Sequence, residues 1–232
     1  MPADADIAIR QIVRTEYGSV TMTHPDSRPD VYWTRYDAGV QPRGLILMLH
    51  GGKDRGQQVV DGRSLSWRRS AAMQRDIARR AQQAGASVWL LRFTGRGWNG
   101  GAPRIADARR ALVDVRREVG DVPVCLLGHS MGARIAVHVA DDPRVRGVVA
   151  LAPWFPPGES VEPLRGKRLY AAHGSRDRIT SAMATQAYVR RAAEVAEEAE
   201  FRDMGPLGHY LLRGRGEWND VAITLSLRVL AS

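Results

Sequence analysis

The chain has 232 residues, 44% of them hydrophobic and 25% charged, the make-up of one globular domain with a sizeable core rather than of a disordered or fibrous chain. Its formal charge of +9 invites a nucleic-acid reading, but all but two of its 34 basic residues are arginine, scattered among acids and apolar residues on predicted helices with no aromatic interleaving, so no nucleic-acid partner is expected. No apolar run approaches the roughly 18 residues of a membrane helix, and the opening MPADADIAIR has acids where a signal peptide has bases, so the expectation is a cytoplasmic protein with no membrane partner.

In chain order, residues 7 to 37 carry strand-like pieces, IAIRQIV and VYWTRYD, around a loop at Thr23-His24-Pro25-Asp26. GLILMLH, 44 to 50, is an apolar strand that runs into Gly51-Gly52. Ala72, Met73, Ile77 and Ala81 fall near one face of a helix over 68–84, which Gly85 closes. SVWLLRF, 87 to 93, is the next strand, and 105–119 is a helix ended by Gly120. Val124-Cys125-Leu126-Leu127 reads as a buried strand and Met131 to Val139 as a helix. Cys125, the single cysteine, has no disulfide partner and reads as a small packed hydrophobe. VRGVVALAP (145–153) and RLYAAHG (168–174) are further strands, SAMATQAYVRRAAEVA (181–196) is a helix, EAEFRDMG is a weaker strand, and the tail from Trp218 is a last packed helix.

This alternation predicts a single-domain α/β fold with a mostly parallel sheet and helices on both faces. Residues 1–43 supply N-terminal strands, 44–215 the core that carries the chemistry, and 216–232 a C-terminal helix. In such sheets functional groups gather at the carboxyl ends of strands, and the candidate motifs lie at such ends.

Gly128-His129-Ser130-Met131-Gly132 matches G-x-S-x-G between a strand and a helix. A serine in that tight turn takes a strained backbone and presents its hydroxyl above the sheet, and side chains two residues to either side would crowd the neighbouring strand and helix. A serine nucleophile needs a base, and the base an orienting acid. Asp177 follows the strand RLYAAHG and His209 follows the strand EAEFRDMG, in the order serine, acid, histidine. Glu159 and Glu162, after the preceding strand, are the rival acids; Glu159 sits in a Pro-Pro-Gly segment that reads as mobile. His173 reads as a strand-end stabiliser, His138 as packed within its helix, His129 as the variable position of the turn, and His24 as a loop residue far from any strand end. In LHGGKDRG the N–H groups of Gly52 and Met131 are expected to hold an oxyanion together, with Lys53 as the alternative to Gly52. Trp98, Trp154 and Phe155 are candidate walls of a substrate pocket.

With HGG, GHSMG, HGSRD and GHY in that order, residues 40 to 215 resemble the α/β-hydrolase fold superfamily, and most closely its compact, lid-less esterases and the dienelactone-hydrolase-like group. Dienelactone hydrolases use cysteine where this chain has Ser130, a departure that speaks against a dienelactone substrate. Many members carry a helical cap before the acid-bearing strand; here only residues 154–167 fill that gap, too few for a cap domain. The expectation is a serine hydrolase of a small or medium acyl ester, acting on a small-molecule acyl substrate with neither metal nor organic cofactor. The alternatives are a thioesterase or peptidase-like acyl hydrolase with the same triad, and a catalytically silent hydrolase fold that binds a ligand.

Gly95-Arg96-Gly97-Trp98-Asn99-Gly100 also matches the dinucleotide fingerprint G-x-G-x-x-G. The next strand ends in Gly128-His129-Ser130 rather than in an acid for the ribose, so the segment reads as a glycine-rich loop beside the pocket.

Overall fold

Leu45, Leu47 and Leu49 pack on one face of the central sheet and Ile46 and Met48 on the other, the period-2 split of a strand covered on both sides. The same split in Val124 and Leu126 against Cys125 and Leu127 organises the neighbouring strand. In this computed structural model, which describes residues 13–14, 20–21 and 32–231, the strands are β1 (Val13–Arg14), β2 (Val20–Thr21), β3 (Tyr32–Tyr36), β4 (Gly44–Leu49), β5 (Ala86–Arg92), β6 (Val124–His129), β7 (Val145–Leu151), β8 (Arg168–His173) and β9 (Glu198–Asp203). The helices are α1 (Leu65–Gln83), α2 (Ala102–Val119), α3 (Met131–His138), α4 (Ala182–Ala192) and α5 (Arg215–Leu230).

Seven strands form one sheet in the order β3-β5-β4-β6-β7-β8-β9, parallel throughout except β3, which runs antiparallel to β5 at one edge. Helices α2, α3 and α4 cover the face lined by Leu45, Leu126 and Val148, while α1 and α5 cover the face lined by Ile46, Cys125 and Val149. The α/β fold with helices on both faces is therefore present. Between β7 and β8 the chain forms only a loop and one 3-10 turn (Glu162–Leu164), with no cap domain. Among the described residues β1 and β2 form a separate two-stranded sheet, and the rest of IAIRQIV and the loop at 23–26 lie outside the described residues. Among the described residues no helix is long and apolar enough to cross a membrane.

Among the element boundaries that differ from expectation, two have clear local reasons. Helix α1 starts at Leu65 rather than 68, because Ser64 at its N-cap and Asp61 exchange hydrogen bonds of 3.1 and 2.8 Å that fix the entry. Helix α4 stops at Ala192 rather than 196: residues 193–196 tighten into turns, and the Glu197 N–H donates to the Lys167 carbonyl, where pairing of β9 with β8 begins. Helix α5 begins at Arg215, three residues before Trp218.

Candidate active site

Strand order reverses direction at β4, whose two neighbours are β5 and β6. In an open parallel sheet the loops at the carboxyl ends on either side of such a point splay apart and leave a crevice. The loop after β4 carries Gly51 and Gly52, and the turn after β6 carries Ser130.

Ser130 sits at the N-cap of α3 with φ 54° and ψ −117°, a left-handed backbone that a side chain adopts at a cost of about 1–3 kcal/mol. Its surroundings hold it there. Its N–H donates to the Leu151 carbonyl at 3.0 Å, and its carbonyl accepts from the N–H groups of Ala133, Arg134 and Trp154. A Cβ on Gly132 would run into the Leu49 carbonyl, and one on Gly128 into the backbone of Ala133, so β4, β6 and α3 approach this closely only with glycine at both places. The Ser130 hydroxyl has no hydrogen-bond partner among the described residues.

Asp177 lies on the turn after β8 with its side chain 1% exposed, and its carboxylate collects the neighbouring donors. Oδ1 accepts from the Ile179 and Thr180 N–H groups at 2.7 and 2.9 Å; Oδ2 accepts from the Thr180 hydroxyl at 2.9 Å, from His173 Nε2 at 3.0 Å and from His209 Nδ1 at 2.8 Å. Burial alone would raise its pKa, but the bonds from His173, His209 and the two N–H groups outweigh burial and hold it well below the usual carboxylate range. Because a carboxylate only accepts, the proton of His209 is assigned to Nδ1, which leaves Nε2 with a free lone pair. His209 itself is nearly buried and rides on the loop after β9. The residue read as a strand-end stabiliser, His173, is fully buried and tied to Asp177 on one side and to the Thr185 hydroxyl at 2.8 Å on the other.

Two more histidines brace the strand ends. His50 donates from Nδ1 to the Gly51 carbonyl at 2.7 Å and accepts from the Phe93 N–H at 3.2 Å, which joins the loops after β4 and β5. His129 donates from Nε2 to the His209 carbonyl at 2.9 Å, and its ring lies 5.0 Å from the His209 ring. Burial pushes His50 down to about 4 and His129 down to about 3, so both are neutral near pH 7.

The Gly52 N–H has no acceptor among the described residues, and the Met131 N–H opens α3, where the first N–H groups of a helix lack partners. The Met131 side chain fills the space a Gly52 Cβ would take, so the two residues touch. Lys53, by contrast, uses its N–H on the Arg96 carbonyl at 2.8 Å. That bond leaves Gly52 rather than Lys53 with the unengaged donor.

One reading changes. Glu159 is not on a mobile segment: it is buried, ion-paired with Arg134, and 2.7 Å from His138 Nε2. Phe155 is buried and stacks on Tyr188 with ring centres 4.0 Å apart, a contact within the core. Trp98 is also buried, 6.1 Å from the partly exposed Trp154, and the Arg134 guanidinium lies over both indoles at 4.1 and 4.5 Å. The glycine-rich loop takes its glycines from a close approach: a Cβ on Gly97 would meet the Gly56 backbone, and the Asn99 side chain closes the junction with two hydrogen bonds to Gly56. Cys125 is buried and free, and burial pushes its thiol up to about 12. No group of three or more His, Cys, Asp or Glu among the described residues is placed to hold a metal ion.

A family model described as the alpha/beta hydrolase family matches residues 46–229. Among solved structures, the chain is similar to an alpha-beta serine hydrolase homologue from Coxiella burnetii, at 15% identity over 96% of this chain and 99% of that one with a TM-score of 0.64. It is similar to a serine hydrolase without a lid from Xanthomonas campestris, at 14% identity over 94% and 96% of the two chains with a TM-score of 0.65. It is also similar to a thermophilic esterase from the planctomycete Thermogutta terrifontis, solved with butyrate bound, at 14% identity over 93% and 95% with a TM-score of 0.68. At these identities the likeness is one of fold. No curated protein matches the chain.

Proposed function

The chain belongs to the alpha/beta hydrolase family, and from that premise we propose that it is a serine hydrolase that cleaves a small or medium acyl ester through an acyl-enzyme intermediate. The observation that carries the reading is the 2.8 Å bond between His209 Nδ1 and Asp177 Oδ2, which leaves His209 Nε2 with a free lone pair to serve a serine held in a left-handed turn.

His209 Nε2 takes the Ser130 hydroxyl proton as Oγ bonds to the ester carbonyl carbon. The carbonyl electron pair moves onto oxygen, and the N–H groups of Gly52 and Met131 and the N-terminus of α3 stabilise that charge. The C–O bond to the leaving group then breaks, and the leaving oxygen receives the proton from Nε2. Water repeats the sequence on the acyl-serine: Nε2 takes a proton from water, the hydroxide adds to the carbonyl carbon, and Oγ leaves with that proton. Asp177, anionic throughout, keeps the Nδ1–H tautomer and stabilises the imidazolium. No cofactor enters these steps.

The short loop between β7 and β8, in place of a cap, supports short or medium acyl groups and turnover without a lipid interface. The lid-less and butyrate-bound neighbours support the same choice. The test is labelling by a fluorophosphonate probe, mapped by peptide mass spectrometry, beside turnover of acyl esters and thioesters of graded length. Labelling at Ser130 with turnover of short esters is expected. An unlabelled protein that turns over none of the panel would leave a silent, ligand-binding hydrolase fold as the better reading.

A further inference from the structure

Arg35, Arg104, Arg134, Arg144 and Arg168 are largely removed from water, and each faces a carboxylate: Glu118, Asp107, Glu159, Asp142 and Glu197 respectively. That is what desolvating a guanidinium demands. Arg69 on α1 breaks the pattern. It is half-buried, its Nε is shut off from solvent with no hydrogen-bond partner, and among the described residues it has no ion pair. Its one described partner is the face of Tyr210, with the guanidinium carbon 4.8 Å from the ring centre.

The place matters as much as the missing counter-ion. Tyr210 follows His209 in the chain and packs edge-on against its ring at 5.5 Å. Arg69 and His129 line one small cavity, together with Ser70, Met73 and Leu211. A cation without a counter-ion thus stands against the loop of the proposed base. Tyr210 and Leu212, on the same loop, are exposed, so the loop surface beside Arg69 is open to solvent. In an ester hydrolysis the base delivers its proton to the leaving oxygen, so the leaving group lies on the His209 side of the scissile bond.

We propose that Arg69, braced by Tyr210, binds a carboxylate on the leaving-group half of the substrate, so that the preferred esters are those of carboxylate-bearing alcohols or phenols. This rests on the hydrolase reading above. The substrate's carboxylate supplies the counter-ion that the fold withholds, through the forked geometry that a guanidinium offers to two oxygens.

The matched probes are 4-acetoxybenzoate and phenyl acetate, compared in the wild type, R69Q and R69K. The electronic difference between the two esters is the same in every variant, so the ratio of their kcat/KM values isolates recognition. R69Q is expected to lower the preference for 4-acetoxybenzoate ten- to a hundredfold, through KM, and R69K to recover part of it. Binding of 4-hydroxybenzoate by calorimetry to the wild type and R69Q gives a second readout that needs no turnover. An unchanged ratio in R69Q, equal binding to both proteins, or no binding to the wild type would overturn the inference. Binding that R69Q abolishes, with neither ester turned over, would uphold the anion site and overturn the hydrolase reading instead.

Discussion

His173 and His209 meet on a single oxygen: Asp177 Oδ2 accepts from His173 Nε2 at 3.0 Å and from His209 Nδ1 at 2.8 Å. The acid of the proposed triad is therefore fixed from behind by a histidine at the end of its own strand. With the Thr180 hydroxyl and two backbone N–H groups also on the carboxylate, its orientation is over-determined.

Asp177→Asn keeps the shape of that site but permits the wrong His209 tautomer. We expect kcat to fall on the order of 10⁴-fold. Glu162→Gln should be silent, because Glu162 makes an exposed pair with Arg165. Glu159→Gln should leave kcat within a few-fold yet lower stability by about 1–3 kcal/mol, since it weakens a buried partner of Arg134. Steady-state kinetics and urea titration of the three variants check this; a dead glutamate variant beside an active Asp177→Asn would move the acid to the earlier loop.

His173→Phe removes one charge-assisted donor and keeps the bulk. The expected result is a fall of about tenfold in kcat with KM nearly unchanged, matching one such hydrogen bond. His173→Gln, which can still donate, should recover most of the loss. If both variants match the wild type, His173 only fills space.

Ser130→Ala should fold and lose kcat by roughly 10⁶. The alanine keeps the left-handed strain that the serine bears at φ 54°. Ser130→Gly releases it, at an entropic cost of about 0.5–1 kcal/mol. The glycine variant should therefore match or exceed the alanine variant in stability, by up to about 2 kcal/mol in urea. A glycine variant clearly weaker than the alanine variant would mean that the turn carries no strain.

The two neutral histidines set a stability window in acid. Their folded pKa values, about 4 for His50 and about 3 for His129, lie below the ordinary 6.5, so the unfolded chain binds protons first as pH falls. Their contribution is whole above pH 6.5 and shrinks as the pH drops through the interval down to 4 and then 3, by about 3 kcal/mol for His50. Asp177, with a depressed pKa, adds to the loss only below the ordinary carboxylate range. Chemical denaturation of the wild type and His50→Gln between pH 7 and 4 measures it: the variant should start weaker and show the shallower slope, and equal slopes would refute the assignment.

The strands and the order of serine, acid and histidine were legible because they depend on local pattern: apolar runs, glycine at close approaches, and polar residues just past strand ends. Residues whose meaning depends on distant partners were not. Glu159 looked loose beside Pro156, Pro157 and Gly158, and only folding brings Arg134 and His138 against it. Phe155 follows Trp154 at a strand end, and only folding stacks it on Tyr188 of α4. His173 is four residues before Asp177 on a strand end, close enough to suspect a pair, although serving the acid from behind requires the three-dimensional turn. Arg69 looked like one of many surface arginines, and nothing in a string of letters reports a missing counter-ion.

The proposed machinery is divided between two regions of unequal solidity. Ser130 hangs from β6, buried along its whole length at the middle of the sheet, whereas His209 hangs from β9, a rim strand that is half-buried for four residues and exposed for its last two. Opening the rim disturbs few buried contacts, so it costs less than opening the centre. Under mild heat or denaturant the base would come adrift while the serine stayed in register. Inactivation would then precede unfolding, and be reversible, for a range of conditions in which the sheet's interior remains shut.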